Sequence, residues 1–135
     1  MYGPTVELDV LQFQQFIEFS ARRRRDLNLI ADLLADQGAD VIKVENPNGG
    51  DHTRASSNQR AGVSANFLNN NRNKRSVALN LKDPRGVDAL MKLVETADVF
   101  IQNFRPGVVD RMGIGEDAVR AVAPNIVYVS ISGFG

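Results

Sequence analysis

Residues 69–76 carry a cluster of amides and cations that could bind a phosphate-bearing ligand. The segment reads Asn69-Asn70-Asn71-Arg72-Asn73-Lys74-Arg75-Ser76. Arginine and lysine donate charge-assisted hydrogen bonds to phosphate oxygens, and asparagine both donates and accepts. An apolar run follows at once and predicts a strand over Ser76–Leu81, with the cluster at the beginning of that strand. We expect this to be a ligand-handling edge of a sheet. A solvated turn before an edge strand is the alternative interpretation.

A second polar cluster follows a later strand candidate, Val99–Gln102. It reads Asn103-Phe104-Arg105-Pro106-Gly107, and Asp110-Arg111-Met112-Gly113 comes close behind. Phenylalanine can offer a flat apolar face to a base, and glycine allows a ligand to approach the backbone closely. The two clusters together favour binding of a polar, phosphate-containing molecule.

Composition excludes several classes of function. The 135 residues suggest one domain, and 16 basic residues balance 16 acidic ones, which argues against nucleic-acid binding through bulk charge. Cysteine is absent and His52 is the only histidine, so cysteine-based and histidine-cluster metal sites are excluded. No apolar run approaches the ~20 residues of a membrane span, and no signal peptide is visible. We expect a cytoplasmic protein without a bound metal.

Strand and helix patterns alternate along the chain. The predicted strands are Val10–Phe13, Val41–Glu45, Ser76–Leu81, Val99–Gln102 and Ile126–Ile131, and a polar loop is expected from Asp51 to about Ser64. The predicted helices contain Leu27 to Ala35, Val87 to Val94 after an Asp83-Pro84 start, Val108 to Met112 and Glu116 to Val122. Alternation of this kind predicts an α/β fold with a Rossmann-like parallel sheet and flanking helices. A GxGxxG fingerprint is missing after the first strand, so a dinucleotide site is not favoured.

Five motifs in order resemble the N-terminal part of a family III CoA-transferase. They are Leu34-Ala35-Asp36-x-Gly38-Ala39-Asp40-Val41-Ile42-Lys43-Val44-Glu45, Asn71-Arg72-Asn73-Lys74-Arg75-Ser76-Val77-Ala78-Leu79, Ala97-Asp98-Val99, Asn103-Phe104-Arg105-Pro106-Gly107 and Ser130-Ile131-Ser132-Gly133-Phe134-Gly135. The resemblance covers residues 33–135 in register and residues 10–17 more loosely. It implies one Rossmann-like CoA-binding domain fragment over 1–135, with a first-strand region at 9–17, a divergent insertion at 18–32 and the family-like segment at 33–135.

The resemblance also implies which residues meet the ligand. CoA or acyl-CoA, as bound substrate, is expected to contact Asn71, Arg72, Asn73, Lys74, Arg75, Asn103, Phe104, Arg105, Arg111, Ser132, Gly133, Phe134 and Gly135. Asn46 occupies a position that is often basic in relatives and would contact the nucleotide less strongly. The expected partners are acyl-CoA and a carboxylic acid, with an interlocked homodimer in the full-length protein.

The family's catalytic residues have no counterpart in this sequence. In the transferases an aspartate attacks the acyl-CoA thioester and forms a mixed anhydride, and it lies downstream of residue 135. The racemase branch of the family uses a histidine and an aspartate that are also downstream. We therefore expect a truncated piece of a CoA-transferase that has no activity alone. The alternatives are a fragment of an α-methylacyl-CoA racemase and a non-catalytic CoA-binding or partner module.

Residues 18–32 depart from the family pattern. Relatives carry a short Ala-Gly-Pro turn after the first strand, whereas here the arginine run Arg22–Arg25 intervenes. Four arginines at the positive end of a helix are disfavoured, so Asp26 is the predicted N-cap and the arginines are predicted to form a solvated run in the preceding loop. Phosphate binding by Arg22–Arg25 is the alternative interpretation. Single acidic residues such as Asp36, and His52 beside Asp51, are interpreted as solvated and incidental rather than as functional groups.

Overall fold

The computed structural model describes residues 15–19, 25–56 and 59–132. The strands are β1 (Gln15–Phe19), β2 (Asp40–Glu45), β3 (Gln59–Arg60), β4 (Val63–Ser64), β5 (Lys74–Ala78), β6 (Val99–Gln102) and β7 (Val127–Ser130). The α-helices are α1 (Arg25–Asp36), α2 (Ala65–Asn69), α3 (Pro84–Val94), α4 (Val108–Arg111) and α5 (Glu116–Val122). No helix in these described ranges is long and apolar enough to cross a membrane.

Five of the strands form one parallel sheet in the order β5-β2-β1-β6-β7. The predicted Rossmann-like parallel sheet with flanking helices is therefore confirmed. The chain moves outward from β1 through β2 to β5, and then crosses over to β6 on the other side of β1. In sheets of this kind, ligands bind outside the carboxyl ends of the strands, where the direction of winding reverses. That point lies here between β1 and β6.

Both faces of the sheet are packed, as parallel sheets require. On one face α3, α4 and α5 contribute to a core built around Ile17, Leu90, Phe100, Ile114 and Val119, each of which is fully buried. On the other face, small side chains of α1 such as Ala31 and Ala35 pack on apolar strand residues. The second core is smaller, because charged side chains take the place of apolar ones on part of that face.

The start of α3 follows its sequence signals. Asp83 has extended backbone and accepts a hydrogen bond from the Arg85 amide at 3.0 Å, and Pro84 occupies the first turn. A carboxylate at the N-cap satisfies an amide that has no partner within the helix, and proline loses no hydrogen bond there. The helix buries Leu90 and Val94 as predicted from their spacing. This helix connects β5 to β6 and fixes where the chain leaves β5.

Several predicted boundaries were wrong. The fifth strand starts at Lys74 rather than Ser76, so Lys74 and Arg75 lie in the strand, where they pair with Val41 and Ile42 of β2. The predicted polar loop over 51–64 contains a 3₁₀ helix, His52–Ala55, and the two-stranded hairpin of β3 and β4.

The beginning of the chain also differs from the sequence-based expectation. The first described strand is Gln15–Phe19, and the predicted strand Val10–Phe13 lies outside the described residues. Helix α1 begins at Arg25, which places Asp26 within the first turn rather than at the N-cap. Residues 18–19 end β1 and residues 25–32 belong to α1, and the divergent insertion expected over 18–32 stays a prediction.

Candidate functional site

The carboxyl ends of the parallel strands bring four segments to one edge of the sheet. Asn46 follows β2, residues 79–82 follow β5, residues 103–105 follow β6 and residues 131–132 follow β7. Neighbouring strands are ~4.8 Å apart, so the ends of β5 and β6, three strands apart, are separated by roughly 14 Å. An extended ligand lying across the strand ends can contact all four segments. We call this side of the sheet the carboxyl edge.

The ends of β6 and β7 are held together by polar side chains. Gln102 donates from Nε2 to Ser130 Oγ at 2.7 Å, and its Oε1 accepts from the Phe104 amide at 2.8 Å. Asn103 is buried, with 4 % of its surface exposed, and Phe104 packs partly against the larger core. These contacts fix the backbone of residues 103–105 beside the point where the winding of the sheet reverses. They give that side of the carboxyl edge a defined shape.

Three cations at or next to the carboxyl edge form no ion pair with any residue that the structure describes. They are Lys82, Arg105 and Arg111, and all three are exposed. Lys82 follows β5, and Arg105 follows β6. Arg111 is the last residue of α4, the helix that begins three residues after Arg105. Unpaired cations are free to donate charge-assisted hydrogen bonds to phosphate oxygens. This edge therefore has the charge that a nucleotide requires.

The predicted cluster of residues 71–75 lies at the opposite edge. It precedes and begins β5, and Lys74 is in register with Val41 near the start of β2. The strands rise ~3.3 Å per residue, so about 15 Å of sheet separates this amino edge from the carboxyl edge. The cluster thus precedes its strand, whereas ligands of parallel α/β sheets bind at the edge that follows the strands, and its contact with CoA stays a prediction.

Every cation of that cluster is paired with a carboxylate. Arg72 Nη2 lies 2.7 Å from Asp32 and 2.9 Å from Asp36, and Asn73 donates to Asp36 at 2.8 Å. Arg75 makes a two-pronged ion pair with Asp40, and Lys74 Nζ lies 2.8 Å from Glu18. Asn71 donates to the Phe67 carbonyl at 2.9 Å. These contacts join α1 to the start of β5 and join β5 to β1 and β2. They leave little unpaired charge for a ligand.

The segment 79–82 was not among the predicted site residues. The Leu79 amide donates to the Glu45 carbonyl at 3.0 Å, and Asn80 Oδ1 accepts from the Lys82 amide at 3.1 Å. Helix α3 packs so closely on it that a Cβ built at Gly86 would lie 2.1 Å from the Asn80 carbonyl oxygen. Helix and loop thus hold Lys82 at the carboxyl edge. The signal for it in the sequence is a lysine directly after an apolar strand.

Glu45 organises the turn that follows β2. Its carboxylate is buried and accepts hydrogen bonds from Arg54 Nε at 2.9 Å, Arg54 Nη2 at 2.8 Å, Ser76 Oγ at 2.6 Å and the Asp51 amide at 2.7 Å. Burial alone would raise the pKa of Glu45, but the hydrogen bonds from Arg54, Ser76 and the Asp51 amide overcome it and hold the pKa at about 2. The group is therefore a permanent anion at neutral pH.

A second set of buried charges lies beneath the same turn. Lys43 Nζ contacts Asp51 at 2.6 Å and Glu18 at 3.5 Å, and Glu18 also pairs with Lys74. Burial raises the pKa of Glu18, and the two lysines act against that effect. Burial would also raise the pKa of Asp51, but Lys43 and Thr53 lower it to about 2. His52 is exposed beside Asp51, 3.4 Å from its Oδ1, and takes no part in this buried set.

In the described part of the chain, acidic side chains do not converge on a metal position. Among the residues that the structure describes, no group of three or more His, Cys, Asp or Glu side chains is arranged to hold a metal ion. Asp36 and Asp40, near the amino edge, are each paired with an arginine. Of the remaining predicted site residues, Ser132 lies past β7 at the carboxyl edge, whereas Gly133, Phe134 and Gly135 lie outside the described residues, as do Arg22 to Arg24.

The sequence matches the model of CoA-transferase family III over residues 27–135, and the chain belongs to this family. It is 46 % identical over 103 residues to human succinyl-CoA:glutarate CoA-transferase, a match that covers 76 % of this chain and 24 % of that protein. It is also 46 % identical over 104 residues to formyl-CoA:oxalate CoA-transferase from Rhodopseudomonas palustris strain BisA53, with the same two shares. The chain thus spans about a quarter of the length of these relatives.

Solved structures share the fold. A CAIB/BAIF family protein from Brucella suis superimposes with a TM-score of 0.81 at 35 % identity, over 90 % of this chain and 33 % of that one. A hypothetical protein from Mycobacterium tuberculosis gives a TM-score of 0.81 at 34 % identity, over 90 % of this chain and 32 % of that one. The similarity therefore includes the parallel sheet and the segments at its carboxyl edge.

Proposed function

We propose that this chain forms the CoA-binding part of an acyl-CoA:carboxylate CoA-transferase. In the whole protein, CoA would move from acyl-CoA to a carboxylic acid through an anhydride on an aspartate beyond residue 135. The observation that carries the proposal is the set of unpaired cations on the carboxyl edge of a family III sheet. The homodimer and the cytoplasmic location stay predictions.

We further propose that the nucleotide half of CoA lies along the carboxyl edge. Lys82, Arg105 and Arg111 supply cations that no described carboxylate neutralises, so a bound phosphate would compete with water rather than with an existing ion pair. Phe104 supplies an aromatic side chain beside them, and Ser132 lies where the pantetheine arm would continue. The predicted contact of residues 71–75 with the nucleotide is the competing placement.

Replacing Arg111 or Lys82 with alanine is expected to weaken CoA binding. Loss of one charge-assisted contact costs on the order of 1.5–3 kcal/mol, which corresponds to a rise in Kd of roughly tenfold or more. The measurement is isothermal titration of CoA into the 135-residue chain, with circular dichroism to establish folding.

Arg75→Ala is the matched control, because it removes an exposed arginine from the amino edge of the same sheet. We expect its Kd for CoA to stay within about twofold of the parent value, since surface ion pairs contribute little. A larger loss for Arg75→Ala than for Arg111→Ala would place the nucleotide on residues 71–75 instead. No detectable CoA binding by the folded parent chain would contradict the proposed function itself.

A further inference from the structure

Glu45 contacts both segments on the β2 and β5 side of the carboxyl edge. Its carbonyl accepts from the Leu79 amide at 3.0 Å, and its carboxylate accepts from the Asp51 amide at 2.7 Å. The first contact fixes the start of the segment 79–82, and the second closes the turn that begins at Asn46. Glu45 therefore helps to set the relative positions of these two segments.

The turn after β2 is folded tightly against this carboxylate. The Gly50 amide donates to the Asn46 carbonyl at 2.9 Å, and Gly50 has a left-handed φ of 64°. A Cβ built at Gly50 would lie 2.7 Å from Glu45 Oε2, so only glycine fits there without a shift. The position of Asn46 at the carboxyl edge is thus set by the contact between Gly50 and Glu45.

Arg54 fixes the Glu45 carboxylate from the other side. Its guanidinium makes two parallel hydrogen bonds to Glu45, at 2.9 and 2.8 Å, and its Cζ lies 3.9 Å from the centre of the Phe67 ring of α2. A planar guanidinium stacked on a ring and engaged through two nitrogens has little freedom to rotate. Lysine can replace the charge but not the two-pronged geometry.

We propose that Glu45 and Arg54 are positioning residues that pre-form the nucleotide side of the CoA site. They hold the turn at residues 46–50 and the segment at residues 79–82 in place before the ligand arrives. Neither side chain needs to touch the ligand, because the effect passes through Asn46 and Lys82. The inference rests on the proposed CoA-binding function and adds to it the residues that shape one wall of the site.

The test combines hydrogen exchange with ligand binding in the 135-residue chain. In Arg54→Lys and Glu45→Gln we expect faster amide exchange over residues 46–56, together with a rise of about fivefold in Kd for CoA and for adenosine 3′,5′-bisphosphate. The Kd values of both ligands should rise by the same factor, because both contain the same nucleotide. Arg120→Lys is the control, since Arg120 makes an exposed ion pair with Glu116 at 2.8 Å on another helix. Should the two variants fail to fold, Ser76→Ala removes one 2.6 Å hydrogen bond to Glu45 and is expected to raise both Kd values about twofold.

The possible outcomes distinguish the positioning role of Glu45 and Arg54 from the proposed CoA-binding function. Faster exchange with unchanged Kd values would overturn the positioning role while leaving CoA binding intact. A loss for CoA alone would overturn the assignment to the nucleotide side. Unchanged exchange over residues 46–56 would show that Glu45 and Arg54 do not hold the turn. No binding of either ligand by the folded parent would overturn both the inference and the proposed function.

Discussion

Lys43→Met is expected to lower the free energy of unfolding by about 3–5 kcal/mol at neutral pH, because it removes a lysine that pairs with two buried carboxylates. Lys43 lies between Asp51 and Glu18, and its side chain is only 1 % exposed. Methionine keeps most of the volume, so the loss reports the charge rather than a cavity. Urea unfolding followed by circular dichroism measures it.

The loss of unfolding free energy in Lys43→Met should become smaller as the pH falls. The folded-state pKa of Asp51 is depressed to about 2, so its ion pair stabilises the protein above the unfolded pKa of about 3.9. That contribution disappears as the pH falls through the folded value. The difference in unfolding free energy between parent and variant is therefore expected to reach its largest value above pH ~5 and to be small near pH 2. A difference that stayed constant over this range would show that the lost stability does not come from the Asp51 ion pair.

Lys92→Met is the matched control, because Lys92 is exposed on α3 and forms no ion pair with any described residue. Substitutions of this kind usually change stability by no more than about 0.5 kcal/mol. An equal loss in Lys43→Met and Lys92→Met would rule out a special role for the buried pair.

Gly86→Ala is expected to destabilise the protein by about 2–3 kcal/mol and to weaken CoA binding as well. The added Cβ would lie 2.1 Å from the Asn80 carbonyl oxygen, and backbone cannot move aside as a flexible side chain can. Either α3 or the segment 79–82 has to shift, and a shift of that segment moves Lys82. Thermal unfolding and titration with CoA measure the two effects.

The direction of the stability change in Gly86→Ala distinguishes a steric clash from an effect of helix propensity. Helix propensity alone predicts that alanine in place of a helical glycine stabilises by about 1 kcal/mol. Asp88→Ala, at an exposed position two residues further along α3, is the control and should change stability little. A stabilised Gly86→Ala variant with unchanged CoA affinity would contradict the close approach of helix and loop.

The fold could be predicted from the sequence because its signals are local. Val99–Gln102 was predicted with the bounds that the structure shows, and the Asp83-Pro84 start of α3 is confirmed. The parallel arrangement of the strands was predicted from their alternation with helices, because parallel strands need crossover connections of this kind. Boundaries were less accurate where charged residues begin a strand, as at Lys74, because charge usually indicates a loop.

The structure places the predicted site residues at two different edges of the sheet. Residues 103–105 follow a strand and lie at the carboxyl edge, whereas residues 71–75 begin one and lie at the amino edge. Charge and amide content alone do not distinguish these two cases, but the order of strand and cluster along the chain does. Lys82 satisfies that order. The role of Glu45 could not be read from the sequence, because its partners come from residues 51, 54 and 76.

The buried charges of the sheet also bear on how the strands find their alignment. Glu18 of β1 lies directly opposite Lys43 of β2, which lies opposite Ser76 of β5. A slip of β1 by one residue would turn Glu18 toward the apolar face that holds Ile17 and Phe100, and would leave Lys43 facing no carboxylate on β1. A misplaced buried carboxylate is heavily penalised. The ion pair thus selects one alignment during folding, and that alignment sets the relative heights of the strand ends.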